Sequence, residues 1–295
     1  MNEAWQRSQY ACDVDGIVSI DPVFIQKMVE INGNVTLEDG TVLTGENTAE
    51  YMLNTIYKEV PVSLQDTYFE YIASTIMNNA FSNMDITKMM KVAQSIGELT
   101  RNRHFYAYTF HDDEAKYFQG AGLAKGTPDS ETDPEVGIYL NEQNPSKLGW
   151  YIDRKTQITK TGQNADGSKT YHVTYTLTNT LTSSEMATCT GYILGGEQAG
   201  VTGKPVAAPG TSAQRMLFYA PKGGSISEIT SSGDVRDQSN AVMDGQKLVT
   251  NVAYIAPGES VTFDFDVTTS PKAENDLTID QTPSGKMTNE VNYQY

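Results

Sequence analysis

The sequence predicts an α+β protein of two structural domains: a small α/β layer, with helices packed on a sheet, followed by an antiparallel, immunoglobulin-like β-sandwich. Three observations carry this expectation. Between Asp21 and Gly97 apolar residues recur at helical spacing. From about Gly149 that period gives way to two-residue alternation. Gly- and Pro-rich punctuation then separates the alternating runs. The expected layout is a lead-in arm over residues 1–12, the α/β domain over 13–145, the sandwich over 146–269, and a polar tail or linker over 270–295.

The first domain is organised around Asp13–Leu53. Gly16–Ile20 is a short apolar, β-branched run that Asp21-Pro22 stops. Proline suits the first turn of a helix because its missing N–H would have no partner there, and Asp21 is placed to cap. Ile25, Met28 and Val29 follow as an apolar stripe, and Asn32-Gly33 ends the helix. Met28 and its neighbours are expected to pack against the sheet whose strand carries Val18 and Ile20. Thr44-Gly-Glu-Asn47 opens another helix with cap-forming side chains, and Ala49, Met52, Leu53 and Ile56 share one of its faces.

Leu64–Phe81 predicts a long helix with Tyr68, Phe69, Ile72, Ile76 and Ala80 spaced for burial. Asp85 caps a third, in which Ile86, Met89, Met90, Ala93 and Ile96 form the stripe. Aromatics alternate over His104–Phe110, as in a strand. His111-Asp-Asp-Glu114 begins a short helix, where three acids complement the helix dipole. A loop over Gly122–Pro134 leads to another strand, Val136–Asn141, assigned to the first domain. In the second domain, strands are expected at Tyr151–Lys160, Tyr171–Thr180, Ala187–Leu194, Gln214–Ala220, Ser225–Thr230, Lys247–Ala256 and Ser260–Thr268. Asp166-Gly167 signals a hairpin between the first two.

The chain has 37 acidic against 21 basic residues, a net charge of −16. From Tyr10 to Pro145 there are 21 acids and 8 bases. Such a balance argues against nucleic acid and against anionic membrane surfaces, which need basic patches. No window is long and apolar enough to span a bilayer. The two cysteines, Cys12 and Cys189, show no metal or redox spacing. They either pair with each other or stand as two separate small hydrophobes.

No residue pattern demands a cofactor, a metal or a catalytic group. His111–Glu114 reads as a helix start and Asp13-Val-Asp-Gly16 as a turn, since the latter lacks the ligand ladder of a calcium loop. Gly195-Gly196, Gly210 and Gly223-Gly224 are loop glycines with no helix behind them to cradle a phosphate. Tyr106, Tyr108, Tyr117, Trp150 and Tyr151 form the candidate binding surface, as a sugar-stacking platform or as domain-interface packing.

Taken in order, VDGIVSIDP, LTGENTAEYMLN, GAGLAKG, VGIYLNEQNPSKLGWYIDR, YHVTYTLTNT and IAPGESVTFDFDV resemble the family known as domain of unknown function 4012, over roughly residues 13–268. That resemblance implies a bacterial cell-envelope protein, extracytoplasmic, with a membrane anchor upstream of this segment. The first domain also looks like the second half of the LytR-CpsA-Psr glycopolymer transferases. Those enzymes hold a polyprenyl pyrophosphate with several arginines, whereas the comparable segment here, Ser63–Glu70, has none. The expectation is therefore a non-enzymatic envelope protein that scaffolds or binds wall glycopolymer or a protein partner. The alternative is a fragment of a transferase-like enzyme whose catalytic residues lie upstream.

Overall fold

The computed structural model describes residues 2–82, 84–195, 205–243, 245–287 and 289–295. It is a mixed α and β structure, with a helical N-terminal part and a strand-rich remainder. After α1 (Asn2–Gln6), strand β1 (Gly16–Ile20) runs into α2 (Pro22–Asn32). Asp21 caps α2 as its sequence demands, accepting from the Val23 and Phe24 N–H groups at 2.9 and 3.0 Å. Gly33 ends it with φ of +101°, a conformation that favours glycine.

A small ribbon, β2 (Val35–Thr36) with β3 (Val42–Leu43), precedes α3 (Thr48–Glu50), a π-helical turn (Tyr51–Thr55) and α4 (Ile56–Glu59). Helices α5 (Val62–Ser82) and α6 (Ile86–Arg101) follow, then β4 (Phe105–Thr109) and α7 (Asp112–Gly120). The core of this part joins α2 to α5 and α6: Phe24, Ile25, Met28, Val29, Ile56, Ile72, Ile76 and Leu99 are buried together.

Two expectations about this part are corrected. Among the described residues its strands form two antiparallel pairs, β1–β4 and the small β2–β3 ribbon, rather than one wider sheet, and Val18 and Ile20 are exposed rather than packed under α2. Met28 is buried instead among helices, because α5 and α6 cover the face that a wider sheet would have covered. In α6, Ile86, Met89, Met90 and Ala93 face solvent. The helix is seated by Leu99 and Thr100 near its C-terminal end, with Ile96 partly buried against the same core, so only the first part of the expected stripe points away from it.

The strand-rich part contains β5 (Glu135–Glu142), β6 (Ile152–Gln163), β7 (Lys169–Asn179), α8 (Ser183–Thr188), α9 (Gly191–Leu194), β8 (Ser212–Tyr219), β9 (Ser225–Ile226), β10 (Thr230–Ser232), β11 (Asp234–Met243), β12 (Gln246–Ile255), β13 (Ser260–Thr268), β14 (Thr278–Gln281) and β15 (Glu290–Gln294). Among the described residues one sheet runs β10-β13-β7-β6-β15, with β9 also on β13, and the other runs β11-β12-β8-β5-β14. Their inward residues share one apolar cluster: Tyr171, Val173, Tyr175 and Leu177 of β7 and Phe263 and Phe265 of β13 meet Met216 and Phe218 of β8. Phe218 contacts Phe263 edge-on at 5.1 Å between ring centroids. The outward residues pair across the ladder, as in Thr176 with Thr262 at 3.0 Å and Thr174 with Asp264 at 2.7 Å.

Four further differences have local causes. Val136–Asn141, expected in the first domain, pairs with β8 and belongs to the second large sheet. Residues 270–295 are not a free tail, since β14 and β15 pair parallel to β5 and β6. Both large sheets are therefore mixed rather than purely antiparallel. Ala187–Leu194 forms no strand: it holds the end of α8, which a reciprocal capping box of Thr182 and Glu185 starts, and the separate turn α9, with only Cys189 and Thr190 extended between them. Strand β11 was not anticipated; its residues DVRDQSNAVM are mostly exposed and carry little alternation. Cys12 and Cys189 are both free thiols. Gly196, one of the loop glycines considered above, lies outside the described residues.

Candidate functional site

Three sets of polar side chains are among the contacts that join the helical part to the strand-rich part. Arg103, in the αL region at φ of 64°, follows α6 and turns its guanidinium inward. Its Nε donates to Asp280 Oδ1 at 2.5 Å and its Nη2 to Asp280 Oδ2. Nη1 donates to the Tyr106 hydroxyl at 2.8 Å and to the Lys125 carbonyl, and Nη2 also reaches the Gly126 carbonyl at 2.6 Å. Tyr139 closes the group by donating to Asp280 Oδ2 at 2.6 Å. Burial opposes the Arg103 charge, but hydrogen bonding and attraction from Asp280 outweigh it and hold the group above its ordinary range.

Beside it, the buried His104 ring lies with Nδ1 2.7 Å from Asp21 Oδ2 and Nε2 3.2 Å from the Met287 carbonyl. One carboxylate thus caps α2 and anchors a histidine that reaches the C-terminal segment. The third set is Tyr151, whose hydroxyl donates to Asn54 Oδ1 at 3.1 Å. Asn54 comes from the π-helical turn. Burial pushes the Tyr151 pKa up, with the Lys58 ammonium pulling the other way.

Next to these contacts a cleft of about 420 Å³ opens where the turn before β6 meets the C-terminal segment. Trp150 lines it. Gly285 lies so close to the indole that a Cβ there would come within 2.9 Å of Cε3, so only glycine allows this packing. Two ion pairs stand on the cleft's lining, Lys286 with Asp153 at 2.6 Å and Lys155 with Glu290 at 2.7 Å. Arg154, also in the lining, donates from Nη1 to the Thr282 carbonyl, while its Nε is buried without a hydrogen-bond partner among the described residues. An aromatic ring bordered by carboxylates, ammoniums and a guanidinium suits a polyhydroxylated ligand. The ring takes the C–H face and the charged groups exchange hydrogen bonds with hydroxyls.

The five aromatic residues singled out in the sequence do not converge. Trp150 lines the cleft. Tyr151 is buried beside it, and Tyr106 is held by Arg103. Tyr108 and Tyr117 are exposed on β4 and α7. Sequence reasoning missed Asp153, Arg154, Lys155, Lys286 and Glu290. The only sequence signal was the dense charge of Asp153-Arg-Lys155 directly after Trp150-Tyr151. Among the described residues no group of three or more His, Cys, Asp or Glu side chains is placed to hold a metal ion. No described helix is long and apolar enough to cross a membrane.

The family described as "Protein of unknown function (DUF4012)" matches residues 1–57. No curated protein matches the chain. A crystal structure of a provisionally assigned nutrient binding protein from Legionella pneumophila subsp. pneumophila str. Philadelphia 1 is similar over 47% of this chain, at 13% identity and a TM-score of 0.23. The chain spans 44% of that protein's length.

Proposed function

We propose that this chain is a non-enzymatic, extracytoplasmic cell-envelope protein that binds a wall glycopolymer in the Trp150 cleft. In this reading the two large sheets are an immunoglobulin-like sandwich. The helical part is a relative of the glycopolymer-transferase half that retains the architecture without the reaction. The envelope address is inferred from the motif resemblance along the chain, and the DUF4012 match over residues 1–57 supports the resemblance itself.

The observation that carries the binding reading is the Trp150 ring set among the Asp153–Lys286 and Lys155–Glu290 pairs. A second observation favours binding over phosphoryl chemistry. Arg103, one of two arginines between residues 10 and 145, has its guanidinium occupied by Asp280, Tyr106 and two backbone carbonyls. It is not free to orient a pyrophosphate.

The test uses the chain's own fluorescence. It has two tryptophans, Trp5 and Trp150, so Trp5→Phe leaves Trp150 as the sole indole reporter. Titration with oligosaccharides released from bacterial walls should shift or quench its emission saturably. The Trp150→Ala protein should show no calorimetric binding. An unchanged spectrum at millimolar saccharide, with no heat of binding, would remove the cleft from consideration.

A further inference from the structure

We propose that the Trp150 cleft selects an acidic saccharide whose carboxylate is bound by the Arg154 guanidinium; this rests on the cleft being a saccharide site. Alternation along β6 turns Ile152, Arg154, Thr156 and Ile158 to one face, and Ile152 and Ile158 belong to the apolar cluster between the large sheets. A charged side chain on an inward face is ordinarily matched by an opposite charge. Arg103 is matched in this way by Asp280. Arg154 is not. Among the described residues its guanidinium makes one hydrogen bond, from Nη1 to the Thr282 carbonyl, and its Nε is buried without an acceptor. The neighbouring inward groups supply no anion. Thr156 stands opposite Tyr175 in the β6–β7 ladder, and both hydroxyls are buried without partners among the described residues.

The charges of the cleft lead to the same ligand. Among the described residues its lining carries Asp153, Arg154, Lys155, Lys286 and Glu290. Lys286 pairs with Asp153 and Lys155 with Glu290, which leaves the guanidinium as the unmatched charge. The remainder is +1, in a molecule whose net charge is −16. At physiological ionic strength exposed charges beyond about 8 Å are largely screened, so a ligand in the cleft meets this remainder rather than the whole molecule. A carboxylate carries one negative charge, and its two oxygens match the planar fork of a guanidinium. In a uronic acid the carboxylate is bonded to the ring. One sugar residue therefore offers both the C–H face for Trp150 and the acid for Arg154, which lines the same cleft. A phosphodiester lies in the linkage between residues instead.

The experiment takes oligosaccharides released from bacterial walls and separates them by anion exchange into neutral and acidic fractions. Part of the acidic fraction has its carboxyl groups reduced to alcohols after carbodiimide activation, which removes carboxylates and leaves phosphodiesters intact. In the Trp5→Phe protein the acidic fraction should quench Trp150 at concentrations at least tenfold lower than the neutral or the reduced fraction. Raised salt should narrow that gap. Arg154→Gln should abolish the preference. Lys116→Gln removes an equal charge from α7, which lines no part of the cleft, and should preserve it. Unchanged thermal melts establish that both variants fold, and the reduced fraction tests the assignment without any substitution at Arg154. Equal binding of neutral and acidic fractions would overturn the inference and leave the saccharide reading standing. A preference that survives reduction would assign the ligand to phosphodiesters, and one that survives Arg154→Gln would take the acid away from this guanidinium; either result overturns it. If no fraction moves the Trp150 emission, the saccharide reading itself falls, and this inference with it.

Discussion

Arg103 and Asp280, 177 residues apart, form a buried two-point ion pair that ties the exit of α6 to β14. The pair lies where helices and sheets meet, and it draws Tyr106, Tyr139 and the Lys125 and Gly126 carbonyls into one network. A charge this deep is tolerated because every donor direction of the guanidinium ends on oxygen.

Removing one partner should therefore be costly. Arg103→Met leaves Asp280 buried and uncompensated, and urea unfolding should show a loss of about 3–5 kcal/mol. Arg103→Lys should recover little, since an ammonium cannot make the planar two-point contact. Arg103→Met combined with Asp280→Leu should be less damaging than the sum of the single changes, because the two residues act as a unit. Strict additivity would show that the pair is not energetically coupled.

Deleting residues 270–295 should abolish cooperative unfolding, judged by a thermal melt or by loss of soluble protein. The deletion removes β14, β15, Asp280, the Met287 carbonyl that meets His104, and the Gly285 contact with Trp150. A truncated chain that melts like the parent would mean that these contacts contribute nothing.

This segment also marks where the sequence stops being legible. Its strands, TIDQ and EVNYQ, are four and five residues long and poor in aliphatics. They are held by ladder hydrogen bonds and by the distant ion pairs of Asp280 with Arg103 and Glu290 with Lys155, none of which leaves a periodic trace. The long helices were legible because Ile72, Ile76 and Ala80 recur at 3.6-residue spacing and are buried as that spacing implies. The same reasoning failed for the first half of α6. Periodicity reports that Ile86, Met90 and Ala93 share a face, not what covers it. The cleft was half visible. Trp150 was identified from its own sequence, but Lys286 and Glu290 reach it only through the parallel pairing of β15 with β6.

His111 gives a pH-dependent signal. Its Nε2 lies 3.0 Å from Asp15 Oδ1, and this hydrogen bond, with Glu114 and Asp113 nearby, raises the histidine pKa above 6.5. With the folded value above the unfolded one, the stabilisation is fully present below pH 6.5 and is lost as pH rises through the folded pKa. Both side chains are largely solvated, so the effect on melting should be slight, and proton NMR of the imidazole is the better measurement. In Asp15→Asn the midpoint should fall back toward the ordinary value. A midpoint unchanged by that substitution would assign the shift to the helix acids instead.

Two tyrosines on β7 isolate the worth of a buried hydroxyl. Tyr171 and Tyr175 are both fully buried on the same face of one strand. Tyr171 donates to Asp276 Oδ1 at 2.7 Å, whereas the Tyr175 hydroxyl has no hydrogen-bond partner among the described residues. Burial pushes the Tyr175 pKa up to about 12, with Arg154 acting weakly in the opposite sense. An unpaired buried polar group costs folding free energy, and its removal without loss of volume returns that cost. Tyr175→Phe should therefore stabilise the fold by about 1 kcal/mol, read as a higher urea midpoint at unchanged slope. Tyr171→Phe should destabilise it by about 1 kcal/mol and lower the midpoint, since the Asp276 carboxylate loses a donor. The difference in sign is the test: the rings sit in the same core, so packing cannot produce it. If both substitutions destabilise, the Tyr175 hydroxyl is not an unpaired group and contributes to stability.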